Sequence, residues 1–389
     1  MIPLNPAIAS TAPPPIMEAR RWLDGVRFPP ERPLINVSQA APVDPPPMAL
    51  RQAMAEAALN DPQAHLYGAV LGNADLREEL AAATARHYGG TVTASQVAIT
   101  QGCNQAFTAV IATLARAGDE VILPTPWYFN HAMWLQMNGI NTVPLPCGDG
   151  MLPDPEQAAT LITPRTKAIV LVTPNNPCGS EYPGGLVAAF HALARRHGIA
   201  LIVDETYRDF DSRSGAPHDL FRDPDWHRDV IHLYSFSKAF RLTGHRVGAI
   251  VTGTDRLDQV EKFLDCVSIS PSQMGQIGAV WGLRHLTDWV AEERREILAR
   301  RAAMVQGFAT LEGWEMLGCG AYFTYARHAS TTPSPALCQR LVHEAGILML
   351  PGTMFRPAGQ GGDEMRIAFA NIDREGIAQM FARLRQFAL

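Results

Sequence analysis

The segment Ser235-Phe236-Ser237-Lys238 sets a primary amine among hydroxyl and apolar residues, just past the apolar run Val230–Ser235. Of the 33 lysines and arginines only three are lysine, at 167, 238 and 262. Against that background each lysine raises the question of whether an amine is required. A guanidinium cannot shed its proton or form an imine at neutral pH. Partial burial would lower the pKa of Lys238 and make it a usable nucleophile; an ordinary lysine at a strand end is the alternative. Asp204 ends the apolar run Ala200–Asp204, where a carboxylate is costly unless it meets a cation or donors. It could cap a helix, form a structural ion pair, or partner a protonated ring nitrogen, with Tyr207 placed to donate to a ring oxygen. Thr173-Pro174-Asn175-Asn176-Pro177-Cys178-Gly179 has a turn composition, with Asn176 left over as a ligand donor at a strand's end.

Four further segments add binding chemistry. Gly102-Cys103-Asn104 joins a strand to a helix, so free N–H groups and a close-approach glycine could cradle an anion. Tyr128, in an aromatic run after a strand, serves either core packing or stacking on a flat ring. Arg246 lies eight residues beyond Lys238, and Tyr67-Gly68 with Gly72 reads as a loop entering a helix. Arg366 sits inside the apolar pattern Met365–Ala370, and a buried guanidinium seeks a carboxylate from the substrate or from elsewhere in the chain. The spacing Ser235-x-x-Lys238 also matches the SxxK of serine β-lactamases. The partner motifs of that chemistry are missing, and the serine is expected to end a strand rather than start a helix.

These residues need a scaffold. Val97–Thr100, Glu120–Leu123, Ala168–Thr173, Ala200–Asp204, Val230–Ser235 and Val247–Thr252 are expected strands. Helical stretches such as 104–115 and 185–197 fall between several of them. The alternation predicts an α/β fold, a mostly parallel sheet covered by helices, with ligands beyond the carboxyl ends of the strands. The proline-rich segment 1–47 is expected to be an extended arm with one short helix near Ile16–Leu23. Residues 48–286 are expected to form a large domain, and 287–389, joined by the arm, a small α+β domain.

The 389 residues are 47% hydrophobic and 18% charged, with a net charge of −5. That composition fits a globular chain and argues against nucleic acid as a partner. No apolar run is long enough to span a membrane, and the first residues lack a secretory pattern, so a cytoplasmic location is expected. The six cysteines have no zinc or CxxC spacing, and no metal is expected.

Taken in order, Tyr67…Gly72, Gly102-Cys103-Asn104, Tyr128, Asn176-Pro177-Cys178-Gly179, Asp204…Tyr207, Ser235-x-Ser237-Lys238, Arg246-x-Gly248 and Arg366 resemble the class I/II aminotransferases. These are pyridoxal-phosphate enzymes of fold type I, and the resemblance covers about residues 35–385. It implies that Lys238 holds the cofactor as a Schiff base and shuttles the substrate proton. It implies that Asp204 keeps the ring nitrogen protonated, that Asn176 and Tyr207 bond the ring oxygen, and that Tyr128 stacks on the ring. Gly102, Cys103, Asn104, Ser235, Ser237 and Arg246 would hold the phosphate. Tyr67 would reach the other subunit's site in a homodimer, and Arg366 would clamp the substrate carboxylate. The implied reaction is a ping-pong exchange between an L-amino acid and a 2-oxo acid. Two departures stand out: Cys178 where Thr or Ser is usual, and Ser38-Gln39-Ala40-Ala41-Pro42 where many relatives have a glycine-rich turn, which makes Ala40 a substrate-side candidate. The aromatic run around Tyr128 favours a hydrophobic or aromatic substrate. Elimination or oxidation of an amino acid on the same cofactor site is the alternative, and a non-catalytic regulator is a third reading.

Overall fold

The computed structural model describes residues 2–389. Seven strands form the central sheet, in the order Val97–Thr100, Gly248–Val251, Val230–Ser235, Ala200–Asp204, Thr166–Val172, Glu120–Thr125, Asn141–Pro146. Every neighbouring pair is parallel except the two made by Gly248–Val251, which runs antiparallel to both neighbours.

The alternation of side chains explains the layers. Ile169, Leu171, Leu201 and Val203 point into one apolar cluster with Leu76, Phe190 and Val280 from the helices of that face. Ala168, Val170, Ala200 and Ile202 point into another, with Phe107, Val110, Leu257 and Val260. Successive residues of a strand face opposite sides, so a strand covered on both faces must be apolar throughout. The edge strand Asn141–Pro146 was not expected from the sequence. Pro144 and Pro146 break its pattern, and only Leu145 in it is buried. An edge strand tolerates proline because one row of its N–H groups needs no ladder partner.

A second, antiparallel sheet orders Leu350–Pro351, Glu364–Ile367, Phe323–His328 and Trp314–Gly320. Helices Thr287–Phe308 and Arg374–Gln386 cover it, through Ile297, Met304 and Phe308 from the first and Ile377, Phe381 and Leu384 from the second. The short strand Ile35–Asn36 pairs in parallel with Ile347–Leu348, tying the N-terminal segment to the C-terminal third.

Three local expectations are corrected. The N-terminal segment holds two short helices, Pro6–Ala9 and Pro15–Arg21, plus that strand, instead of one helix in an extended arm. A proline at or near the first helical position, harmless there, starts both helices. Lys238, read in the sequence as an amine at a strand end, lies within a single helical turn, Phe236–Ala239. Ser235 accordingly both ends its strand and caps that turn, accepting a hydrogen bond from the Ser237 N–H at 3.3 Å.

Candidate active site

A cavity of about 420 Å³ opens where the central strands end, and it collects nearly all the residues singled out in the sequence. Asp204 and Ser235 come from strand ends, Asn176 and Tyr207 from the turns that follow strands, and Cys103 and Asn104 from a helix start. Tyr128, Ser237, Lys238, Arg246, Arg366 and Ala40 complete this part of the lining.

Two expected residues stand apart. Gly102 does not line the cavity but shapes it. Its φ of 83° suits glycine, and a Cβ there would collide with the Arg246 guanidinium. Tyr67 is 79% exposed and lies outside the cavity of its own chain.

Lys238 donates from Nζ to the carbonyl of Ala40 at 2.6 Å, and its ammonium lies 5.7 Å from the Tyr207 ring centre. Burial, with Arg246 and Arg366 nearby, pulls its pKa from 10.5 down to about 8. Arg366 is buried in the strand Glu364–Ile367, donates to Asn176 Oδ1 at 3.0 Å and to the carbonyl of Ser38, and leaves Nε with no partner among the described residues. Burial lowers its pKa to about 10. The same strand carries one acid, Glu364, whose carboxylate accepts from Arg356 at 2.8 Å and from Tyr325 at 2.8 Å, so Arg366 gains no carboxylate from it. The segment 38–40 thus offers carbonyls to both cations.

Asp204 is buried at the floor. Burial alone would raise its pKa, but His131 and Thr206 outweigh it and hold the carboxyl below its usual range. Thr206 donates to Oδ1 from its N–H at 3.0 Å and its hydroxyl at 2.7 Å, and His131 Nε2 lies 3.5 Å from Oδ2. His131 stacks on Phe107 with ring centres 3.9 Å apart, which fixes its edge toward the carboxylate. Neither His131 nor Thr206 was singled out in the sequence, although both flank residues that were. The Tyr128 hydroxyl donates to Asn104 Oδ1 at 3.1 Å and accepts from Asn130 at 2.8 Å. Burial raises its pKa to about 12 and also raises that of Tyr207 well above the usual 10, so both stay protonated donors.

The helix Cys103–Leu114, capped by Gly102, starts beside Asp204, with the Cys103 thiol 3.6 Å from Asp204 Oδ1. The N–H groups of a helix's first residues have no carbonyl within the helix to reach, and they carry its positive end. Arg246 packs against Gly102, and Ser235 and Ser237 also line the cavity. A Cβ on Gly248 would lie 2.5 Å from the Gly102 carbonyl carbon and 2.6 Å from the Cys103 nitrogen, so the backbone here is packed to its limit. Pro14 and Ile16 also reach the cavity, from a segment whose role the sequence left open.

The comparisons with known proteins agree with this geometry. The family model "Aminotransferase class I and II" matches residues 32–384. A valine–pyruvate aminotransferase of Mycobacterium tuberculosis is 30% identical over 348 residues, 87% of each chain. An aromatic aminotransferase of Arabidopsis thaliana is 29% identical over 338 residues, 84% of this chain and 82% of that one. The crystal structure of an aspartate aminotransferase from Thermus thermophilus with maleate superposes with a TM-score of 0.90 at 24% identity, over 99% of this chain and 100% of that one. The chain belongs to the class I and II aminotransferases, whose fold implies pyridoxal phosphate, and is a transaminase.

Proposed function

We propose that this transaminase acts on L-amino acids with uncharged, apolar or aromatic side chains and on the matching 2-oxo acids. One observation carries the reading. The charged residues lining the cavity are Asp204, Lys238, Arg246 and Arg366. The first three suit the cofactor and the fourth an α-carboxylate, so among the described residues no lining cation is left for a second, distal carboxylate. Phe129 and Ile16, with Ala40 and Ala41, offer apolar surface instead.

The residues fit the cofactor. Its phosphate needs several donors and positive potential, and the Cys103 and Asn104 N–H groups, Ser235, Ser237 and Arg246 provide both. Gly102 keeps the approach open. Its ring nitrogen needs an anion, and Asp204 is held ionised. Asn176 accepts from Arg366 through Oδ1, which turns its NH₂ group free to donate to the ring oxygen together with Tyr207. Tyr128, in the cavity wall, would pack on the ring. When bound, pyridoxal phosphate supplies an aldehyde for imine formation and an electron-withdrawing ring.

The rest is done by the chain. Lys238 would hold the cofactor through its amine, and would take the proton from the substrate Cα and return it as general acid. A pKa near 8 suits a group that must be base and acid in turn. Arg366 binds the α-carboxylate with a fork that lysine lacks, and its unpartnered Nε is consistent with a ligand still to be met. The carbonyls of Ser38 and Ala40 must yield to the substrate. His131 and Thr206 act as positioning residues for Asp204. Residues 48–286 carry the cofactor site as the large domain, while 1–47 and 287–389 share a buried cluster that includes Ile35, Val37, Leu337 and Leu384. Exposed Tyr67, beside exposed Leu66, fits a homodimer in which it completes the partner's site. The six cysteines are all free, in keeping with a reducing, cytoplasmic setting.

The test is a panel of amino donors compared by kcat/KM. Leucine, methionine or phenylalanine should exceed aspartate and glutamate by at least tenfold. A preference for the dicarboxylic donors would overturn the substrate assignment and leave the transaminase chemistry untouched.

A further inference from the structure

A second cavity, of about 680 Å³, lies between the end of helix Ala74–Tyr88, the loop 208–217 and the start of helix Thr287–Phe308. It shares no lining residue with the active site, yet the two meet along the backbone: Tyr207 lines the first and Arg208 the second. Five arginines line it, at 86, 208, 213, 222 and 294, against two acids, Asp209 and Asp211.

The acids are already engaged. Asp211 pairs with Arg213 at 2.5 Å, and Asp209 accepts from the Tyr234 hydroxyl at 2.8 Å. Arg294 donates only to the carbonyls of Asp211 and Arg213, at 2.7 and 2.8 Å, and Arg222 only to that of Tyr88, at 3.3 Å. Carbonyls satisfy donors without neutralising charge. Arg208 is the sharpest case. Its side chain is 4% exposed, its Nε is 4.0 Å from Asp209, and neither Nε nor Nη1 has a hydrogen-bond partner among the described residues. Its guanidinium lies 3.9 Å over the Tyr234 ring, which helps to hold it in place. A buried guanidinium with two of its nitrogens unpaired is costly. A cavity with three more positive than negative side chains, and an incompletely paired guanidinium in its wall, matches a compact ligand of several negative charges.

We propose that this second cavity is a binding site for a small multivalent oxyanion, either a phosphoryl or a tricarboxylate compound. The ligand would bridge Arg208, Arg222 and Arg294, and so join the turn that follows Tyr207 to the helix that leads into the second sheet.

Isothermal titration of the cofactor-loaded enzyme with inorganic pyrophosphate, and separately with citrate, tests the proposal. Loading keeps the active-site phosphate cradle out of the measurement, and Arg222 and Arg294 do not line that cradle, so failure of the active-site assignments would be distinguishable. Saturable binding of at least one of the two anions at one per chain is expected, and the better binder tells phosphoryl from carboxyl chemistry. The double variant Arg222→Gln/Arg294→Gln should weaken it at least tenfold. Arg86→Gln, at an exposed residue, should weaken it severalfold even if the double variant folds poorly. Arg327→Gln, at a distant exposed ion pair, should leave it unchanged. Absence of saturable binding of both anions at millimolar concentration would overturn the proposal, as would undiminished binding in Arg86→Gln and in a folded double variant.

Discussion

The ionisation of Lys238 is where burial and neighbouring charge bear most directly on the chemistry. Burial is the largest cause of its depressed pKa, followed by the charges of Arg246 and Arg366, and together they bring it from 10.5 to about 8. At pH 8 an ordinary lysine has roughly one neutral amine for every 300 charged ones, whereas Lys238 should be close to half neutral. The gain in reactive amine is then on the order of a hundredfold. Replacing Arg366 by Met removes one of the two cationic contributions, so the midpoint should rise while remaining below 10.5. The chain's small number of lysines makes the assay direct. Reductive ¹³C-methylation of the cofactor-free protein, followed by NMR titration, gives one pair of resonances per lysine. Lys167→Arg and Lys262→Arg assign the other two. A Lys238 midpoint above 10 in the parent protein would refute the reasoning, because burial and two nearby guanidinium groups would then be without effect. A midpoint unchanged in Arg366→Met would show that burial acts alone.

Arg366→Gln should raise the KM for amino donors about ten- to a hundredfold with a smaller change in kcat, the loss of one or two charged hydrogen bonds; steady-state kinetics that leave KM unchanged would make Arg366 purely structural. Gly248→Ala must push on the Gly102–Cys103 backbone, where a Cβ would sit 2.5 Å from Gly102, and should weaken cofactor binding at least tenfold in equilibrium titration. Wild-type affinity in that variant would mean the backbone there is not part of the phosphate cradle. Glu205 is buried and accepts from Tyr88, His218 and His232, and, although burial opposes it, those histidines hold its pKa well below 4.5. The unfolded chain therefore takes up the proton first as pH falls, so Glu205 stabilises the fold above pH 4.5 and this contribution is lost below it. His232, held by burial below 6.5, adds a slope of the same sign that begins on falling through pH 6.5. Denaturant titrations across this range should show stability falling with acid, and Glu205→Gln should flatten the part below pH 4.5; an unaltered slope would remove Glu205 from the account.

Much of the site was visible in the sequence because chemically discordant residues stand at the ends of apolar runs. Asp204 after Ala200–Val203 and Lys238 just past Val230–Ser235 are costly there unless used, and the parallel strands bring such ends to one edge. What the sequence hid depended on contacts between distant segments. His131 sits in the helix Phe129–Met137, and its meeting with Asp204 is made by the stacking of Phe107, 24 residues earlier in the chain. The carbonyls of Ser38 and Ala40 reach Arg366 and Lys238 across 328 and 198 residues, with no local pattern to announce them. The strand Asn141–Pro146 was hidden by its prolines, and the reversed direction of Gly248–Val251 by the absence of any directional signal in a short apolar run. The N-terminal segment, read as an arm, places Pro14 and Ile16 in the cavity through helix Pro15–Arg21. Its prolines signalled turns but could not show where the segment packs.

The central claim is that Lys238 and its surroundings run one half of an amino-group exchange. The cofactor-loaded enzyme, given an apolar amino acid and no 2-oxo acid, tests it most directly. The account predicts loss of the visible absorbance and one equivalent of 2-oxo acid per subunit without free ammonia, with neither seen in Lys238→Ala over the same period. Steady release of ammonia with the colour retained, or full exchange in Lys238→Ala, would contradict it.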